Sequence, residues 1–291
     1  MLSRYCAWTS LIVSFVAPAV LLPAVTPRVP GTGWEPAPAY GGQTRQAHSV
    51  FEGTAADLSW PEVKKAADAN ALVLLPLGVI EEHGPHMPLG TDAYLAYQSC
   101  RILKTELAGR GLQALIVPPI YWGVMQSHET GAFPGSFTVR PATMKALLVD
   151  VLGDLKAWGF RRVYVVNHHG DRLHRATLAD ALVEAKQSLG LEFYNDQLQA
   201  DRAAAPDVQR FIKGTPVLPD YHAGAFETSA MAAYFPALVD LAVAGTLPPQ
   251  STFQPNGYVG APGNFGKIDA RGIISVEQRY YADCIARWMK R

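Results

Sequence analysis

Three cysteines in 291 residues, none in a C-x-x-C pair, exclude a disulfide framework and a cysteine-ligated zinc site. Charge is also sparse: 25 Lys and Arg balance 25 Asp and Glu, together 17% of the chain, and no block of either sign occurs. Phosphate-rich partners need clustered cations, so nucleic acid is set aside as a partner. No G-x-S-x-G elbow marks a serine hydrolase. Cys100 falls inside a helical pattern, where a buried, inert thiol is the default. No internal repeat or second linker divides the chain. What is plentiful is apolar surface, 49% of residues, which excludes disorder for the bulk of the chain and is enough for one large core. Histidine is concentrated as well: seven of the eight lie between His83 and His222.

Residues 5–27 carry no charge and follow a short stretch whose only cationic side chain is Arg4, the form of an export signal. The apolar centre, Leu11 to Val25, is shorter than the roughly 20 residues that span a bilayer, and Pro18 and Pro23 interrupt it. Residues 1–25 are therefore read as a signal peptide or, if uncleaved, an N-terminal anchor, which places the protein in the periplasm or outside the cell. Residues 26–56, punctuated by proline and glycine, read as a tether, with the catalytic-size domain over 57–291. Ser59-Trp60-Pro61-Glu62 has the form of a capping box and opens a helix ending near Asn70. Unbroken apolar runs at Ala71 to Gly78, Leu112 to Pro119 and Arg162 to Asn167, with a weaker one at Leu191 to Asn195, predict strands covered on both faces. Helical patterns separate them. Tyr94 to Ala108 and His174 to Leu189 are two of these, and Pro141 to Trp158 carries Leu147, Leu148, Val151, Leu152 and Leu155 on one stripe. A last helix covers Ile273 to Met289. Alternating strands and helices imply an α/β fold with a mainly parallel central sheet, whose site lies beyond the carboxyl ends of the strands.

The chemistry-bearing residues fall there. After the first strand come Glu81-Glu82-His83-Gly84 and, nine positions past His83, Asp92. Side chains two apart in extended backbone point the same way, so Glu81 and His83 face one site and Glu82 faces another. After the strand ending at Val166, His169 and Asp171 repeat the spacing within Asn167-His168-His169-Gly170-Asp171. Mixed imidazole and carboxylate ligation suits zinc, manganese or iron better than magnesium or calcium. With Asp92 as a bridge, Glu81, His83, Asp92, His169 and Asp171 are enough for two divalent ions. Singly, each has a plainer reading; Asp92, for example, is a good N-cap for a helix beginning at Ala93. Two matched pairs tip the balance. His86 and His168 fall out of phase with their neighbours and read as outer support, His174 reads as structural and His48 as solvent-exposed. His222 precedes a glycine in Tyr221 to Ser229, where an imidazole can reach a substrate. Glu227 is either a first-turn carboxylate complementing a helix dipole or the group that completes the second metal site instead of Asp171. His128 lies in the Gly/Pro loop Gln126 to Ser136, read as a segment covering the site.

Together, LPLGVIEEHGPHMPLGTD (Leu75 to Asp92), FPGS (Phe133 to Ser136), VNHHGD (Val166 to Asp171) and HAGAFETS (His222 to Ser229) resemble the creatininase, or creatinine amidohydrolase, family over about residues 57–291. The resemblance implies a three-layer α/β/α sandwich with a binuclear centre, of zinc, manganese or both with iron as an alternative, hydrolysing a non-peptide C–N bond in a small amide, cyclic amide or formamide. It also implies ligand roles for Glu81, His83, a bridging Asp92 and His169, with Asp171 standing where creatininase has a glutamate. His222 takes the part of general acid or base, acting beside a water activated between the two metals. Glu82, His86, His128, His168 and Glu227 are expected around this centre or against the substrate. A homo-oligomer, with a hexamer as one form, is expected from the same resemblance. The chain departs from the family at His168, where a glycine is usual, and in having no tryptophan between Gly190 and Tyr221, which argues against creatinine as the substrate. A non-catalytic exported protein that binds metal or a small ligand on the same fold is the rival reading.

Overall fold

The computed structural model describes residues 48–125, 133–194, 208–214 and 219–291, all within one compact unit spanning Pro38–Arg291. The export segment, most of the expected tether and His128 lie outside the described residues. So does Asn195.

Four parallel strands form the sheet: β1 (Leu72–Leu77), β2 (Ala114–Ile116), β3 (Arg162–Asn167) and β4 (Glu192–Phe193), in the order β2-β1-β3-β4. β1 sits centrally, pairing with β3 from Val73↔Val163 to Leu77↔Asn167 and with β2 from Leu72↔Ala114 to Leu74↔Ile116. All six residues of β1 are buried, as the unbroken apolar run requires of a strand covered on both faces. β2 is shorter than the run Leu112 to Pro119, because Pro118 and Pro119 have no N–H to donate to a ladder.

The helices are α1 (Trp60–Asp68), α2 (Thr91–Ala108), α3 (Pro141–Ala157), α4 (Arg172–Leu189), α5 (Ala225–Tyr234), α6 (Leu241–Thr246) and α7 (Ala270–Met289). The capping box forms as read, with the Glu62 carboxylate accepting from the Ser59 backbone N–H at 2.7 Å. On one sheet face, Val73, Leu75, Leu77, Val163 and Val165 pack with Met144, Leu148, Leu152 and Leu155 of α3 and Leu178, Ala181 and Leu182 of α4. On the other, Leu72, Leu74, Tyr164 and Val166 pack with Cys100, Leu103 and Leu107 of α2 and Ala282 and Ile285 of α7. The result is a three-layer α/β/α sandwich. Within α3 the buried stripe runs through Met144, so Leu147, expected inside, is 37% exposed. Among the described residues, no helix is long and apolar enough to cross a membrane.

The packed body begins earlier than Asp57. Thr54 is fully buried and caps the turn Ala55–Asp57, and Tyr97 Oη donates to the Glu52 carbonyl at 2.5 Å. Val50 packs against the core, and the His48 ring meets Phe235 edge-on, so this histidine is placed against an aromatic ring rather than in free solvent.

Candidate metal centre

Adjacent parallel strands end on the same edge of a sheet, so the segments following β1 and β3 leave side by side. The β1 segment runs on without regular structure to α2, whose first turn packs against Gly78, where a side chain could not fit: a Cβ would lie 2.7 Å from the Asp92 Cβ and 2.8 Å from its backbone carbon. That close approach lays the first turn of α2, which carries Asp92, over the end of β1. Asp92 thus sits at a helix N-terminus, where a carboxylate is favoured by the dipole. His222 is placed by an antiparallel bridge to Val259 and leads into Ala223, whose φ of 50° is in the left-handed region. Glu227, in the first turn of α5, steadies that bend by accepting from the Ala223 N–H at 2.5 Å.

These placements bring together three histidines and three carboxylates. Glu81, His83, Asp92, His169 and His222 are all buried, and Glu227 is partly so. Each imidazole gives one nitrogen to a backbone carbonyl: His83 Nδ1 to Glu81 O (3.2 Å), His169 Nε2 to Val124 O (3.2 Å) and His222 Nε2 to Glu82 O (2.7 Å). A carbonyl can only accept, so an N–H is fixed on that side and the second nitrogen is the one free to take a proton or a cation. Those second nitrogens converge on carboxylates. His169 Nδ1 is 2.9 Å from Glu81 Oε1 and 3.2 Å from Asp92 Oδ2. His83 Nε2 is 3.5 Å from Asp92 Oδ1 and 3.8 Å from Glu227 Oε2. His222 Nδ1 is 3.7 Å from Glu81 Oε1.

An imidazole nitrogen facing a carboxylate oxygen at these distances needs either a proton or a metal cation between the two. Among the described residues, three groups place their donor atoms within 4.8 Å of one another: Glu81, Asp92 and His169; His83, Asp92 and Glu227; and Glu81, His83 and His222. The first two share Asp92, one oxygen on each side. His83 Nε2 and Asp92 Oδ2 are buried without a hydrogen-bond partner, a costly condition that a divalent ion would relieve. Orientation of the imidazoles by carbonyls on their far side is also what metal-binding histidines generally need. The residues present therefore fit divalent metal, and their nitrogen and oxygen donors suit zinc or manganese.

Without an ion, protons take its place. Burial raises the Glu81 and Glu227 carboxyls to about 7, against the partial opposition of His169 and His83 respectively. Burial works against charge on His83, but Asp92, Glu227 and Glu81 outweigh it and lift its pKa to about 10. His169 is likewise held well above its ordinary value by Glu81 and Asp92 in spite of burial. Asp92 lies far below the usual carboxylate range, because His169 and His83 overcome its burial. His222 behaves oppositely: burial, reinforced by the neighbouring His83, pushes it down to about 3, so it stays neutral.

The remaining residues singled out from sequence have definite places. Asp171 stands outside these groups: it is the N-cap of α4, its Oδ1 accepting from Leu173 N–H (2.7 Å) and His174 N–H (2.9 Å). His168 turns toward α2, its Nε2 lying 3.0 Å from Ser99 Oγ. Buried His86 has its Nε2 2.8 Å from Thr228 Oγ1. Glu82 is buried with Oε1 3.9 Å from His222 Nε2, Oε2 accepting from Ser136 Oγ at 2.5 Å and its N–H donating to Ser136 Oγ at 2.9 Å, so it borders the same centre instead of facing a separate one. Ser136, Val124 and Phe253 were not singled out by the sequence. The Phe253 ring lies 4.9 Å from the His222 ring. Ser136 had a visible signal in the FPGS block, whereas Val124 acts through its backbone and Phe253 lies in a segment with no motif.

The family model Creatininase (creatinine amidohydrolase) matches residues 56–282. A creatinine amidohydrolase of Pseudomonas putida is 28% identical over 236 residues, covering 78% of this chain and 86% of its own. A mycofactocin precursor peptide peptidase of Mycobacterium ulcerans (strain Agy99) is 28% identical over 234 residues, covering 74% of this chain and 85% of its own. Among solved structures, a mutant creatininase described as Zn-Zn type superposes with a TM-score of 0.62 at 25% identity, covering 83% of this chain and 99% of that one.

Proposed function

The chain belongs to the creatininase family, and we propose that it is an amidohydrolase with two divalent ions, zinc or manganese, that cleaves the C–N bond of a small amide, cyclic amide or formamide. The observation that carries this reading is the Asp92 carboxylate, shared between Glu81 and His169 on one side and His83 and Glu227 on the other. The first trio would hold one ion and the second trio the other, with Asp92 common to both. The Zn-Zn description of the related creatininase supports zinc as one loading. Such ions supply a water of lowered pKa and polarise a carbonyl oxygen.

The protein's own side chains do the rest. The Glu82 carbonyl fixes His222 as the Nε2–H tautomer and so leaves Nδ1 bare on the side of Glu81. Neutral His222 takes a proton from the attacking water at Nδ1 and returns it to the departing nitrogen as the C–O bond forms and the C–N bond breaks. General acid–base catalysis of this kind contributes typically about 10²–10⁴-fold. The Ser136 clamp on Glu82 keeps the carbonyl that orients His222 in place. Phe253 covers one side of the imidazole. The uncharged stretch at residues 5–27 supports export, so we place the reaction outside the cytoplasm, with the protein working as a homo-oligomer in keeping with its family resemblance.

The test is a panel of cyclic amides, formamides and short lactams offered to metal-loaded protein, together with His222→Asn. Turnover of at least one substrate is expected, with the variant keeping its metal content and losing about 10²–10⁴ in rate. Tight ligand binding without hydrolysis by metal-loaded protein would instead make it a binding protein.

A further inference from the structure

Behind His169, away from the carboxylates, lies a buried polar knot that the proposed reaction does not use. His174, the third residue of α4, is 0% exposed. Its Nδ1 accepts from the Val124 N–H at 3.3 Å, and its Nε2 lies 3.2 Å from Asn167 Oδ1. A backbone amide can only donate, so Nδ1 is the bare nitrogen and Nε2–H the donor, which matches the Asn167 oxygen. The same two residues grip His169. Val124 O accepts from His169 Nε2–H at 3.2 Å, Asn167 Oδ1 accepts from the His169 backbone N–H at 3.2 Å, and Asn167 Nδ2 donates to the His169 carbonyl at 2.8 Å. The two imidazoles also pack edge to face, with centroids 4.9 Å apart.

Val124 belongs to neither a strand nor a helix, so its carbonyl has no ladder to hold it. His174 is one of three anchors of this stretch, beside Val139 N–H donating to Gly123 O at 2.9 Å and Met125 N–H donating to Thr138 Oγ1 at 2.9 Å, and its approach is close enough that Gly123 has no room for a side chain: a Cβ there would lie 2.5 Å from His174 Nδ1. His174 is held in turn by its own backbone, whose N–H donates to the Asp171 cap.

We infer that His174 is a positioning residue for the metal centre: through Val124 and Asn167 it fixes the His169 ring so that Nδ1 stays aimed at Glu81 and Asp92. Removing an outer partner of a ligating imidazole typically weakens metal binding about 10–100-fold. The effect should be selective. His83 is oriented by the Glu81 carbonyl and has no hydrogen bond into this knot, so the ion held by His83, Asp92 and Glu227 is spared.

This inference rests on the two-ion reading, and one experiment separates them. Full-length protein is titrated with zinc against a chromophoric chelator, and cobalt(II) absorption reports each site's geometry. Wild-type protein binds two equivalents. His174→Phe keeps the ring and its packing but removes both hydrogen bonds; one equivalent weakens about 10–100-fold with an altered cobalt band, and the other is unchanged within about threefold. His174→Asn, whose Oδ1 can accept from Val124 in place of Nδ1, recovers part of the loss and provides the same measurement if the Phe variant fails to fold. Wild-type affinity for both equivalents in either variant, or equal weakening of both, overturns the inference. Wild-type protein that binds no zinc overturns the two-ion reading and the inference with it.

Discussion

The segments that leave β1 and β3 start side by side and carry similar side chains, yet they use them differently. After β1 the chain runs through thirteen residues outside any strand or helix, a length that lets both Glu81 and His83 reach the centre before α2 begins at Thr91. After β3 the chain enters α4 at Arg172 almost at once. That leaves His169 alone on the site side, while the Asp171 oxygen satisfies two N–H groups of the new helix. The missing carboxylate comes from elsewhere, from Glu227 in the first turn of α5. The same spacing of an acid and a histidine thus yields two groups facing the centre on one segment and one such group plus a helix cap on the other. What separates the outcomes is the distance to the next helix, because orphan N–H groups at a helix start compete with a metal for the nearest carboxylate.

Substitutions can break that contrast at several points. Asp92 is common to both ion trios, so Asp92→Asn should lose both ions and bring turnover below detection, read by elemental analysis of dialysed protein. Glu227→Gln should lose one of the two ions and most of the activity, whereas Asp171→Asn should keep both; the reverse pattern would restore Asp171 to the centre.

A pH series examines the same groups without mutation. Metal-free Glu81 and Glu227 titrate near 7, above their ordinary 4.5, so ions must displace protons below pH 7. Zinc affinity should rise with pH, approximately tenfold per unit for each proton displaced, most steeply below about 7 and further up to about 10 as His83 also gives up its proton, with calorimetry in buffers of different ionisation enthalpy counting the protons. The contribution of Glu81 and Glu227 to the stability of metal-free protein should run the other way, opposed below about 6.5 by buried His222, His86 and His174, which fold in their neutral forms. A folded pKa above the unfolded one means that the fold holds extra protons from about 4.5 to about 7, and this contribution is lost as pH rises through that window.

The smallest effect belongs to the cap. Asp171→Ala should cost about 0.5–2 kcal/mol of stability, seen in chemical denaturation, with metal content unchanged.

Where a residue's role follows from local pattern, the sequence already showed it. The run Arg162 to Asn167 is β3, and the buried leucines of β1 follow from an apolar run too long to leave a polar face. Glu81 and His83 were legible from their two-residue spacing after β1, and Asp92 from its place at a helix start. The Asp171 cap was less so: it depends on α4 starting at Arg172, two residues before the expected start at His174, and helix starts are weakly marked. His174 was read as structural because nothing in a sequence reveals that a backbone carbonyl, that of Val124, will be shared between two imidazoles. The packing of residues 48–56 was obscured because they follow a proline- and glycine-punctuated stretch and show no apolar periodicity of their own, which hides Val50 and Thr54 as anchors.

The most direct test is anomalous diffraction at the zinc edge from crystals of reconstituted protein. Two peaks astride Asp92 are predicted, one in contact with Glu81 and His169, the other with His83 and Glu227, and neither touching Asp171. A single peak, or a pair in which Asp171 is a ligand and Glu227 is not, would contradict the account.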